Sequence, residues 1–136
     1  MARRASKQPT DGEMEILTIL WDQGETDLGT LCNHLREKRE IATTTVATML
    51  KVMMDKGLVT RSGAPRAYVW SAAASREATR RGMVGKLVDR VFDGSAKGLV
   101  AHLLSEGTLA DDERAEILRM LDASGSDDDA PEGGRR

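Results

Sequence analysis

A single cysteine, four aromatic residues, two histidines and no long apolar run characterise this chain. Each scarcity removes a class of protein. One cysteine, Cys32, rules out an internal disulfide framework and fits a reducing compartment, so a cytoplasmic location is expected. Cys32 shares an apolar stripe with Leu28, Leu31 and Leu35, which predicts a buried small hydrophobe rather than a nucleophile or a metal ligand. No stretch of eighteen apolar residues is present, so no membrane span and no stable membrane association are expected. Arg3, Arg4 and Lys7 stand at the start without an apolar segment behind them, so no secretory signal is expected. With aromatics limited to Trp21, Tyr68, Trp70 and Phe92, the core must rest on Leu, Val, Ile, Met and Ala, as in helical proteins.

Catalytic constellations are also missing. His34 and His102 fall on different predicted helices, and no Gly-x-Ser-x-Gly elbow occurs. Gly82-Met83-Val84-Gly85-Lys86 lacks the spacing and context of a phosphate loop. Asp127, Asp128 and Asp129 lie in a polar tail with no preformed geometry. No enzyme, no metal site and no cofactor are expected.

The net charge of −2 by itself argues against a nucleic-acid partner. Its distribution argues the other way. Residues 43–71 carry Lys51, Lys56, Arg61 and Arg66 against Asp55, a local balance of +3. The leader adds Arg3, Arg4 and Lys7, and the chain from Gly82 onward sums to −5. A basic patch within an acidic chain is an electrostatic footprint that the average hides.

What is present is helical periodicity. Thr10-Asp11-Gly12-Glu13 has the spacing of a capping box, and the helix behind it should run to about Asp22, burying Met14, Leu17, Leu20 and Trp21 before Gly24. A second helix should begin after Thr26 or Asp27 and fray in the charged run Arg36-Glu37-Lys38-Arg39-Glu40. The third, capped by Thr43 and closed by Lys56 and Gly57, has two unlike faces. Val46, Met49, Leu50 and Met53 form an apolar stripe at i, i+3, i+4, i+7. Thr44, Thr48, Lys51 and Asp55 lie opposite, with Ala47 at the edge. A small, hydroxyl-rich face bearing a cation suits close approach to a DNA major groove.

Two strands are predicted next, Leu58 to Arg61 and Arg66 to Trp70, around the turn residues Ser62-Gly63-Ala64-Pro65. Tyr68 and Trp70 should point the same way and serve as core beneath the hairpin rather than stack on bases. Arg61 and Arg66 flank the loop, where a wing meets phosphates. Three helices followed by a hairpin is the order of a winged helix-turn-helix. The fold class expected is therefore mainly α, with a winged-helix domain over 10–72 behind a flexible basic arm, 1–9.

Three further helices follow in residues 73–122, and residues 123–136 read as a disordered tail. The first helix, capped by Ser75, carries Val84, Leu87, Val88 and Val91. The next carries Leu99, Val100 and Leu103, and the last carries Leu118 and Leu121. So short a segment rarely folds alone. A homodimer in which each copy covers the other's stripes is the economical solution, against packing back onto residues 10–71.

Four blocks, Glu13 to Trp21, Thr44 to Leu50, Asp55 to Val59 and Arg66 to Trp70, occur in the order and spacing of a known family. The chain resembles the BlaI/MecI penicillinase repressors, with their copper-responsive CopY-type relatives, over about residues 10–122. The resemblance implies a winged-helix N-terminal domain, a helical C-terminal dimerisation domain, and repression through a dyad-symmetric double-stranded DNA operator, with control of β-lactam or related stress-response genes. On the matching positions Thr43, Thr44, Thr45, Thr48 and Lys51 would face DNA, with Arg61 and Arg66 on the wing. Ala47 stands where some members carry a basic residue, which bears on operator sequence. In β-lactam-responsive members a membrane sensor-protease cleaves the dimerisation domain; the matching position here is His102-Leu103, where the best-known members have Asn-Phe. The paired cysteines of copper-responsive members are absent. The rival reading is a winged-helix protein-interaction module without DNA readout.

Overall fold

The computed structural model describes residues 8–129. Helix α1 (Asp11–Gln23) starts at a complete capping box. The Glu13 amide donates to Thr10 Oγ1 at 3.2 Å, and the Thr10 amide donates to Glu13 Oε1 at 3.0 Å. Gly24, at φ 82°, ends the helix in a backbone region that favours glycine. A two-residue strand, β1 (Thr26–Asp27), leads into α2 (Leu28–Arg36), whose N-cap is Asp27. Helix α3 (Thr43–Lys56) closes on Gly57 at φ 83°, a left-handed cap. Strands β2 (Val59–Ser62) and β3 (Val69–Ala72) form the hairpin. Both of β3's partners are antiparallel, and the sheet order is β1-β3-β2.

The core follows from helix periodicity. Ile16, Leu17 and Leu20 of α1 meet Leu31, Cys32 and Leu35 of α2 and Val46, Leu50 and Met53 of α3, with Val59 and Trp70 supplied by the sheet. All eleven are buried, and the expected burial of Cys32 and Trp70 holds. In α1 the stripe is rotated from the expected one. Ile16 is fully buried, while Met14 and Trp21 are only half-buried. Trp21 stays at the rim because its indole N–H donates to the Ala74 carbonyl at 2.9 Å, a bond that a deeper position would forfeit.

Several local expectations are corrected. Thr43 does not cap α3; Ala42 holds the N-cap position without a side-chain bond. Arg36 takes over Thr43 instead, donating from Nη2 to Thr43 Oγ1 at 2.7 Å and from Nε to the Ile41 carbonyl at 3.0 Å. Arg36 therefore clamps the turn between α2 and α3, rather than belonging to a frayed, solvated run. The strands begin one and three residues later than expected. The Ala67 amide donates to the Ala64 carbonyl at 2.8 Å, and this β-turn takes residues 64–67 out of extended conformation.

Three helices complete the chain: α4 (Arg76–Val91), α5 (Ala96–Ser105) and α6 (Asp111–Asp129). The Ser75 hydroxyl accepts from the Ala78 amide at 3.0 Å, and Ser95 caps α5 from the Gly98 amide at 2.9 Å. Helix α6 runs to Asp129, past the expected tail boundary at 123, since no proline interrupts it before Pro131. The rest of that tail, 130–136, and residues 1–7 of the basic arm lie outside the described residues. The chain divides into two compact units at Gly85 and Lys86, within α4. The first turn of α4 belongs to the first unit, because Arg76 pairs with Asp22 at 2.8 Å and lies 5.4 Å from the Trp21 ring centroid.

Candidate nucleic-acid interface

Helix α3 turns Val46, Leu50 and Met53 inward and leaves its opposite face in solvent. Thr43, Thr44, Thr45, Ala47, Thr48 and Lys51 are all exposed. Val52, which the periodicity reading overlooked, is 42 % exposed on the flank of the same face. Arg36 orients Thr43, whereas the hydroxyls of Thr44, Thr45 and Thr48 make no hydrogen bond among the described residues beyond the helix.

The charge balance of this region is rearranged by folding. Lys56 does not join the exposed patch. Its Nζ donates to Glu13 Oε1 at 2.7 Å and to the Gln8 carbonyl at 3.3 Å, with only 11 % of its side chain exposed. A buried carboxylate requires such a partner, so the capping glutamate of α1 recruits the last cation of α3. Lys51, Arg61 and Arg66 remain as the exposed cations of residues 43–71.

Those three converge. They line one groove of about 820 Å³ between α3 and the hairpin, together with Ala47, Met54, Tyr68 and Trp70. Arg61 stands on β2 with its guanidinium carbon 3.9 Å from the Tyr68 ring centroid and 5.5 Å from that of Trp70. Stacking on an aromatic face restricts the side chain before any ligand arrives. Tyr68 thus acts as a platform for Arg61, half-buried itself, while Trp70 below it is core. Alternation in the sequence places these two rings on one side but says nothing of the arginine that covers them.

Arg66 occupies the third position of the Ala64–Ala67 turn at φ 76°, a left-handed conformation that glycine usually supplies. A strained non-glycine residue on an exposed loop is a pointer to function rather than to folding. Gly63 has no such latitude. At φ 92°, a Cβ there would stand 2.6 Å from the Ala67 carbonyl oxygen, so the close return of the wing requires glycine.

One acid borders the groove. Asp27 caps α2, accepting from the Thr30 amide at 2.7 Å, and that backbone bond holds its carboxyl below the ordinary value.

The second unit offers a different surface. Leu87, Val91, Val100, Leu103, Leu118 and Leu121 are exposed there, as is Val84 at the end of the first unit, and Val88 and Leu99 are half-buried. His102 and Leu103 both lie within α5 and are exposed; the His102 ring sits 5.8 Å from that of Phe92. Among the described residues no group of three or more His, Cys, Asp or Glu side chains is placed to hold a metal ion, and no helix is long and apolar enough to cross a membrane.

Two helices joined by a clamped turn, with a third packed behind them and a hairpin directly after the exposed helix, make a winged helix-turn-helix. Residues 9–123 match the family described as Penicillinase repressor, and the chain belongs to that family, whose members are transcriptional repressors with a winged-helix DNA-binding fold. The Penicillinase repressor of Bacillus licheniformis is 19 % identical over 115 residues, covering 85 % of this chain and 90 % of its own. A solved structure of a MarR family protein from Bacillus stearothermophilus is similar at a TM-score of 0.44 and 19 % identity, covering 87 % of this chain and 74 % of that one.

Proposed function

We propose that the protein is a homodimeric, sequence-specific repressor acting in the cytoplasm on a dyad-symmetric operator. The observation that carries this reading is the convergence of Lys51, Arg61 and Arg66 beside the exposed threonine face of α3. The cations and hydroxyls neutralise and bond phosphates, which sets the register of the protein on the duplex. Thr48, Ala47 and the Val52 side chain are short enough to meet base edges and thymine methyl groups. Two copies would present their α3 helices to successive major grooves about 34–36 Å apart. The apolar stripes of α4, α5 and α6 supply the dimer surface, because no described side chain after Trp70 is buried within one chain.

Family membership supports control of β-lactam or related stress-response genes. Relief of repression by a sensor-protease cutting between His102 and Leu103 fits α5, a ten-residue helix without a buried side chain. A protease needs extended substrate, and opening so weakly packed a helix costs little.

A salt titration of operator binding tests the DNA claim. Six cations per dimer, each displacing counterions, give a slope of log K against log salt of about −5, from roughly −0.9 per phosphate. A flat response, or selection from a random duplex pool that yields no dyad, overturns it.

A further inference from the structure

We infer that the groove between α3 and the hairpin is also a site for a small aromatic carboxylate, and that its occupant excludes DNA. The inference rests on the reading of this face as the DNA interface and adds regulation to it. At about 820 Å³ the groove falls within the range of small-molecule sites. Its lining is largely apolar: Leu28 and Met54 contribute from the helices and Tyr68, Val69 and Trp70 from the hairpin, with one face of Tyr68 already taken by Arg61. Ala47, with a single methyl group, leaves room on the α3 wall.

Charge selects the class of ligand. Lys51, Arg61 and Arg66 border the cavity against Asp27 alone, and Asp27 already spends its carboxylate on the Thr30 amide. A cation is repelled. A bare phosphate or sulfate satisfies the cations but leaves the apolar lining wet. A flat ring system bearing one carboxylate meets both demands, its ring against that lining and its charge at the rim. A guanidinium binds a carboxylate through two parallel N–H donors, and Arg61 is already held on the Tyr68 face at 3.9 Å.

The same three cations serve a phosphodiester strand. Ligand and duplex therefore compete, and the coupling is reciprocal. At a ligand concentration ten times its Kd, apparent duplex affinity falls about tenfold per occupied subunit.

The test uses the full chain and 2-naphthoate as probe, at constant ionic strength balanced with acetate. Two-dimensional NMR follows the two indole N–H signals. Trp70 borders the groove and its signal shifts on titration; Trp21, whose indole is bonded to the Ala74 carbonyl, keeps its position. The neutral analogue 2-naphthamide binds at least tenfold more weakly, and Arg66→Gln weakens 2-naphthoate at least fivefold with the NMR spectrum otherwise folded. In a separate assay 2-naphthoate displaces duplex from the wild-type protein. Shifts at neither indole or equally at both, or an amide that binds as well as the acid, overturn the site. Naphthoate binding that leaves duplex affinity unchanged overturns the exclusion. Absence of duplex binding without any probe instead removes the DNA reading and its competition, while the indole titration still decides the groove.

Discussion

The two units of this protein use helical apolar stripes in opposite ways. In the winged helix the stripes of α1, α2 and α3 close on one another: Ile16, Leu31 and Leu50 are each wholly buried. From Lys86 onward the stripes are as regular, yet Leu118 and Leu121 stand 55 % and 56 % exposed. The contrast teaches that periodicity specifies a helix and its sidedness, whereas coverage depends on how many other faces can reach it. Three helices and a sheet enclose a core. The helices that follow, with no sheet beside them, do not, and a second copy of the chain is the proposed cover.

The sharpest way to break that contrast is to truncate one leucine in each unit. Leu50→Ala should cost about 2–5 kcal/mol of unfolding free energy, because the removed methyls leave a cavity in a packed interior. The same change at Leu118 should leave the monomer within about 0.5 kcal/mol of the parent, as for exposed sites. Denaturant unfolding of both variants at a concentration that populates monomer checks the pair; equal losses would mean that Leu118 is covered within its own chain.

Next in size is the surface itself. Replacing Leu118 and Leu121 together by glutamate should weaken dimerisation by at least about 3 kcal/mol, or a hundredfold, from about 1.5 kcal/mol or more per leucine kept in water. Analytical ultracentrifugation reads the change, and an unaltered self-association removes α6 from the interface.

The wing gives a smaller effect of a different kind. In Arg66→Gly, relief of the left-handed backbone, about 1–2 kcal/mol, is offset by the extra entropy of an unfolded glycine, about 0.4–1 kcal/mol. Thermal stability should hold or rise slightly, while the salt slope of duplex binding loses about one unit per contact removed. A stable protein with undiminished slope would show that the strained arginine does not meet DNA.

The smallest effect is in acid. The Thr30 amide holds the Asp27 carboxyl below its ordinary value of 3.8. A depressed folded value means that the cap stabilises above the unfolded pKa and loses that contribution as pH falls through the folded one. Asp27→Asn keeps a capping oxygen that does not titrate. Its stability difference between neutral pH and about pH 2 should therefore be smaller than the parent's in chemical denaturation.

Much of the winged helix is legible in the chain. Thr10 with Glu13 announces the start of α1, Gly24 and Gly57 announce two ends, and the spacing of Val46, Leu50 and Met53 marks the inward side of α3. Strand β1 is not legible, since two residues display no alternation; Thr26 and Asp27 become a strand only because Trp70 and Val69 lie alongside. Lys56 reads as one more cation of the basic patch, yet Glu13, forty-three positions earlier, claims it. Arg36 reads as part of a solvated run, yet it ties the carbonyl of Ile41 and the hydroxyl of Thr43. Each miss involves a backbone strand or a polar side chain whose partner is chosen by the fold.

The order of residues alone determined where α1 begins, where α1 and α3 end and which side of α3 avoids water, because caps, glycine conformation and a 3.6-residue period act within a few positions. Only tertiary structure decided which cations remain available, and how they are held. Lys56 is drawn inward by a carboxylate that cannot stay buried alone. Arg61 is laid on Tyr68, and Lys51, Arg61 and Arg66 are brought to one groove from two elements. Charge pairing and stacking act through space, and the spacing along the chain carries no record of them.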